Sequence, residues 1–312
     1  MPRTLTLTAL ALLAGCTITS HETKRVSMGK AVSSRALLAL IDQPGPLEVE
    51  TVNSADWEID RSGLINLDHP RAKEAGLTDG NEPIQIYFHV ITHPTRGAFV
   101  VDSGVEKALR DAPDTAALSG MAAKAIHTDR MRIHAPLGAW LDERRMQLSG
   151  VLLTHLHLDH VLGLRDLPAA TPIYIGPGEA QQKAFMNVMV RGVTDRELEG
   201  KGPLQELSFE QDADGRFAGV RDLFGDGSLF VLHVPGHTPG SLAFLARTTD
   251  GPVLITGDTC HTAWGWQNDV EPGSFTADRA GNAKSLAALR KLVKEHPQTA
   301  VLLGHQHLSD KR

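Results

Sequence analysis

Residues 151–160 read Val-Leu-Leu-Thr-His-Leu-His-Leu-Asp-His, and this stretch decides the fold. Val151–Leu153 is a short apolar run of strand type. Directly after it, His155, His157, Asp159 and His160 place four metal-ligand side chains in six positions. Neither the helical nor the strand period puts all four on one face, so they converge from a loop at a strand end. Imidazole and carboxylate are the donors of Zn and Fe sites, and this spacing is rare by chance.

Three further pieces lie downstream, each at the end of an apolar run: Pro235-Gly236-His237, Gly257-Asp258 and Gly304-His305. Upstream stands Val101-Asp102-Ser103-Gly104. Each alone is weak. Together they resemble the metallo-β-lactamase superfamily in order and strand context, over roughly residues 83–310. The resemblance implies a layered α/β (α+β) fold, the αββα sandwich, with metals at one edge of two sheets. Carried over, His155, His157 and His237 hold one metal; Asp159, His160 and His305 hold a second; Asp258 bridges them. Asp102 supports these ligands by hydrogen bonding. His305 is preferred to His307 because the family ligand directly follows the glycine. Two divalent ions are expected, Zn first, with Fe, Mn and Co admitted by the same donors. Sharing a water lowers its pKa toward neutral, so a metal-bridging hydroxide attacks a carbonyl. Asp159 orients that nucleophile and passes its proton to the leaving group.

The remaining chain alternates strands and helices, as a layered fold requires. Strand-type runs are Pro83–Thr92, Gly97–Val101, Pro172–Ile175, Leu229–Val234, Leu242–Ala246, Val253–Thr256 and Thr299–Leu303. Helical spacing covers Pro136–Leu148, the stretch after Gly178 to Val190, and Asp278–Glu295, where Asp278 serves as cap. Residues 191–227 lack a clear period and read as loops or an insertion.

The first residues form an address. Arg3, the apolar run Leu5–Leu13 and Leu13-Ala14-Gly15-Cys16 resemble a bacterial lipobox, which implies a signal peptide over 1–15 and lipidation of Cys16. Residues 16–46 then read as the lipidated cysteine and a tether, and 47–312 as the catalytic domain. The expected location is the cell envelope. Thr17, not Asp, follows the cysteine, which points to the outer membrane or its periplasmic face if the source is Gram-negative. The membrane is reached through the lipid anchor only. A net charge of −6 gives no electrostatic footprint for nucleic acid, so the partner is a small-molecule substrate.

Within the family, class B β-lactamases lack a bridging carboxylate at the Asp258 position. Glyoxalase II, acyl-homoserine lactonases and certain phosphodiesterases carry it. Little of this sequence follows His305, so the glutathione-binding helical domain of glyoxalase II is not expected, nor is a glutathione thioester substrate. The acyl-homoserine lactonases carry Tyr three residues after the bridging Asp; here that position is His261, which can also donate to an oxyanion. The layout points to lactone ring opening, quorum quenching in type. The alternatives are β-lactam or thioester hydrolysis and, from another class, a binding lipoprotein without turnover. Trp264 and Trp266 either flank an apolar substrate or pack the outer layer. Cys260 reads as a small buried hydrophobe. Phe185, Met186 and Met189, at helical spacing, read as core packing or a homodimer face.

Overall fold

The structure is a computed structural model describing residues 16–308. Two mixed sheets face each other. The first holds eight strands in the order Thr23–Val26, Leu204–Leu207, Ile173–Ile175, Leu148–Leu152, Gly97–Val101, Asn81–His93, Glu48–Asp60 and Arg132–Ile133. The second holds six: Ala300–Leu302, Gly251–Ile255, Leu242–Thr248, Leu229–His233, Gly219–Asp222 and Lys30–Val32.

Period-2 alternation sorts each strand's side chains between two cores. Phe99 and Val101 meet Leu229, Val231, Phe244 and Ile255 in the core between the sheets. Val100, Val151 and Leu153 turn outward under Trp140 and Leu141 of the helix Leu137–Arg144. On the other side, Phe230, Leu232 and Leu245 turn outward under Leu286, Leu289 and Leu292 of the helix Arg279–Glu295. Each of these leucines contributes roughly 1.5–3 kcal/mol by burial. The result is the four-layer αββα sandwich expected from the motifs. Asp278 caps the long helix as read, accepting from the N–H of Gly281 at 3.0 Å.

Three readings are corrected. Residues 17–46 are no tether. Thr23–Val26 is the edge strand of the eight-stranded sheet, paired with Leu204–Leu207, and Lys30–Val32 pairs with Gly219–Asp222 in the other. Short polar strands carry a weak period, and their partners lie more than a hundred residues away. The stretch 191–227 is not all loop, since it supplies those same two partner strands and most of the helix Asn187–Glu197. The helical stretch expected from Gly178 begins only at Asn187. The lipobox residues before Cys16 lie outside the described residues.

Candidate metal centre

Five strands end at one edge of the sandwich, and the motif residues follow their ends. His155 and His157 follow Leu148–Leu152, Asp102 follows Gly97–Val101, and His237 follows Leu229–His233. Asp258 follows Gly251–Ile255, and His305 follows Ala300–Leu302. Glycine is required at two of these turns. A Cβ on Gly236 would stand 2.2 Å from the backbone N of Asn282, and one on Gly304 would stand 2.1 Å from Oδ1 of Asp258. The first loop therefore closes on backbone and the second on the Asp258 carboxylate, and neither leaves room for a side chain.

All seven residues read as ligands come together. Donor atoms of His155, His157, His237 and Asp258 lie within 4.8 Å of one another, as do those of Asp159, His160 and His305. A third group joins Asp258, His261 and His305. Oδ2 of Asp258 sits at the centre, 3.6 Å from His155 Nε2, 3.3 Å from His160 Nε2, 3.5 Å from His237 Nε2 and 3.3 Å from His305 Nε2. His305 Nε2 also lies 3.3 Å from Oδ2 of Asp159. His307 instead packs its ring edge-on against Tyr87, outside the cluster.

The far nitrogens of these rings are held by the protein. His160 Nδ1 donates to Asp102 at 2.7 Å, and His305 Nδ1 donates to the carbonyl of Gln85 at 2.8 Å. Both rings therefore turn a free Nε2 to the centre when neutral. Asp102 accepts from the N–H and hydroxyl of Thr154 as well, and adopts a left-handed backbone (φ 58°). Burial pushes His155 and His237 well below the ordinary histidine pKa, and His157 to about 4. Neutral imidazole is the form with a lone pair to give. His160 is opposite: burial works against its charge, but the carboxylates of Asp258, Asp102 and Asp159 hold it well above the ordinary range. Burial also opposes ionisation of Asp258, yet His261, His305 and His160 keep its carboxyl well below the usual range.

The cluster fits metal ions on its own geometry. His155 Nε2, His160 Nε2 and Asp258 Oδ1 are buried and find no hydrogen-bond partner among the described residues. Nε2 of His237 faces Nδ1 of His157 at 2.9 Å, nitrogen against nitrogen. Unpartnered buried polar atoms cost about 1–3 kcal/mol each, and several converging on one space are what a cation satisfies.

His261 differs from its expected role. Its Nδ1 donates to the carbonyl of Leu64 at 3.1 Å, and its Nε2 lies 3.0 Å from Oδ2 of Asp258. With Nδ1 as donor, neutral His261 offers only a lone pair at Nε2.

Sequence reasoning missed Glu179. Fully buried, it accepts from the N–H of Leu156, the hydroxyl of Thr238 and the N–H of Gly240, tying the His155 loop to the His237 loop. A glutamate after Gly176-Pro177-Gly178 gives no signal of this by itself. Also missed were Trp57 and Phe275, which line the cavity above the cluster. Trp266 is packed under the long helix, and Trp264 packs on the apolar cluster that also holds Trp57 and Ile84, but neither is among the residues that line the cavity. Cys260 is buried in the same layer as Trp266, and burial pushes its thiol to about 12.

The cavity has a volume of about 280 Å³. Its floor is His157, Asp159, His237, Asp258, His261 and His305. Its walls are mainly apolar, with Trp57, Ile59, Ile84, Ile126, Leu158 and Phe275 among them. Among the described residues that line it there is no Lys or Arg.

Comparison with known proteins agrees with this architecture. The model of the metallo-beta-lactamase superfamily matches residues 81–305. Gamma-lactamase MBL2 of Gibberella moniliformis is 32% identical over 173 residues, 52% of this chain and 70% of that protein. N-acyl homoserine lactonase AttM of Azorhizobium caulinodans is 28% identical over 225 residues, 71% of this chain and 82% of that protein. A solved quorum-quenching N-acyl homoserine lactone lactonase superposes with a TM-score of 0.59 at 16% identity, covering 86% of this chain and 96% of that one.

Proposed function

Because this chain belongs to the metallo-β-lactamase superfamily and is a metal-dependent hydrolase, we propose that it opens the ring of an uncharged, apolar lactone. The observation that carries this reading is the cavity: apolar walls above a His/Asp floor, with no Lys or Arg among its described lining residues. A penicillin-type β-lactam carries a carboxylate, as does a glutathione thioester, and neither would meet a Lys or Arg along these walls. A neutral cyclic ester needs none. Two relatives bear names that point to cyclic acyl substrates, gamma-lactamase and N-acyl homoserine lactonase.

We read His155, His157 and His237 as the ligands of one divalent ion, Asp159, His160 and His305 as those of a second, and Asp258 as shared. Such ions supply Lewis-acid polarisation of a carbonyl and water of near-neutral pKa. The chain's own residues do the rest. Trp57, Ile59 and Phe275 hold the apolar part of the substrate and exclude water from it. Asp159, its side chain 16% exposed where the floor meets the cavity, takes the proton of the attacking water and returns it to the ring oxygen as it leaves. His261 would offer its Nε2 lone pair to a cation held near Asp258 and His305. Only its imidazolium could donate to an oxyanion, because Nδ1 is committed to Leu64.

The lipobox is read as it stands: export, with acylation at Cys16.

The test is acid release at constant pH by metal-loaded protein, with and without chelator, on lactones, thioesters and β-lactams. Chelator-sensitive release on lactones alone is the expected result. Turnover of either other class with silence on lactones keeps the metal centre and rejects the substrate.

A further inference from the structure

Among the described residues, the large apolar side chains left exposed are Met121, Phe185, Met186, Val188, Met189 and Phe275. Four of them fall within residues 185–189, and Phe185 is 80% exposed. Phe185, Met186 and Met189, whose spacing suits core packing or a homodimer face, point outward, so they are not core. Met186 and Phe275 line the cavity, so the patch borders the way in. An exposed apolar patch of this kind marks a surface that meets something apolar.

What it meets is indicated by its neighbour. Cys16 is not spaced away from the domain. It pairs antiparallel with Ala184, its carbonyl accepts from Nδ2 of Asn187 at 3.0 Å, and the N–H of Ile18 donates to the carbonyl of Gln182. The residue that the lipobox marks for acylation is thus stitched into the same turn that displays Phe185. Exposed Lys183 precedes the apolar stretch, and half-buried Arg191, which follows it, is ion-paired with Asp195 at 3.7 Å. Exposed apolar residues next to a surface lysine suit a surface of anionic headgroups over acyl chains.

We infer that the Phe185–Met189 face seats this protein on an anionic lipid bilayer, with the cavity mouth turned toward the lipid. Part of the argument rests on the reading of Cys16 as the acylated residue, through its position beside the patch. An anchor placed there without a tether leaves the domain little freedom to face any other way. Apolar substrates then reach the cavity from the bilayer as well as from water.

The experiment separates docking from acylation. The chain from Cys16 onward holds every strand and helix of the described structure. Purified as Cys16→Ser, it is floated at millimolar lipid with vesicles of phosphatidylethanolamine and phosphatidylglycerol (3:1). The expected result is flotation that the pair Phe185→Ser, Met189→Ser lowers at least about tenfold, with an unchanged melting temperature. Equal flotation of the two proteins, or none of either, overturns the inference. So does light scattering that shows a dimer which the same pair converts to monomer, since the face then belongs to a second copy. The intact mass of Cys16 protein extracted from membranes tests acylation separately. An unmodified mass rejects the acylation reading, while the flotation result still decides docking.

Discussion

The carboxylate of Asp102 lies 2.7 Å from Nδ1 of His160, two residues brought together from different strand ends. The contact fixes the tautomer that turns Nε2 to the centre, and Thr154 holds the carboxylate in place. In Asp102→Asn the amide keeps one acceptor and gains a donor that clashes with these N–H groups. Metal affinity should fall about 10–100-fold, as it does when such outer partners are changed elsewhere. Competition against a chelator measures it, and an unchanged affinity would show that His160 is oriented by something else.

Oδ2 of Asp258 lies within 3.6 Å of Nε2 of His155, His160, His237 and His305, and Asp258 shares a donor group with His157. Asp258→Ala should leave a folded chain with reduced bound metal and hydrolysis at background level. Elemental analysis of the parent protein should approach two ions per chain. Full activity in Asp258→Ala would refute the shared-ligand arrangement.

Gly304→Ala should be far more damaging to the site than to the fold. Its Cβ would stand 2.1 Å from Oδ1 of Asp258, so the carboxylate must move. Gly200 has a positive φ of 76° but nothing within 4 Å of the added Cβ. Gly200→Ala should therefore cost about 1 kcal/mol of stability through its backbone alone and leave metal binding intact. Equal metal loss in both variants would sink the steric argument.

His261→Leu distinguishes a metal donor from an oxyanion donor. A donor's loss lowers bound metal at limiting concentration, whereas an oxyanion role shows in kcat with metal content unchanged. We expect the first, because Nδ1 already donates to Leu64.

Burial lowers His89 to about 3, helped by the charges of His160 and His307. Its folded pKa thus lies below the unfolded value of 6.5, so its contribution to stability is complete above pH 6.5. That contribution is lost as the pH falls from 6.5 toward 3. Each such histidine adds a slope of up to about 1.4 kcal/mol per pH unit across that range. His89→Gln, which can still bond Thr51, should reduce the slope by about one proton. Chemical denaturation at pH 5 and pH 7 reads the difference; an unaltered slope would mean His89 titrates normally.

The centre was legible in the sequence because its residues sit in short loops at strand ends. There, ligand identity and spacing are local properties, and an apolar run announces each loop. The six-stranded sheet's central strands and the capped helix Arg279–Glu295 were legible for a related reason: burial on a fixed face imposes a period on the residues themselves. Glu48–Asp60 and the short strands Thr23–Val26 and Lys30–Val32 carry mixed polar residues, so nothing local marks them. They exist because distant partners complete their hydrogen bonds.

The sequence by itself determined which His and Asp residues form the candidate metal cluster, the order in which strands deliver them and hence the family. Only the tertiary structure decided that Glu179 locks two ligand loops together and that His261 spends its Nδ1 on Leu64. It alone set Trp57 and Phe275, not Trp264 and Trp266, around the cavity over the His/Asp cluster, and placed Cys16 beside an exposed apolar turn. Each of these is a meeting of residues far apart in the chain. A hydrogen bond or a packed face between such residues depends on where the whole sandwich folds them, which no local pattern records.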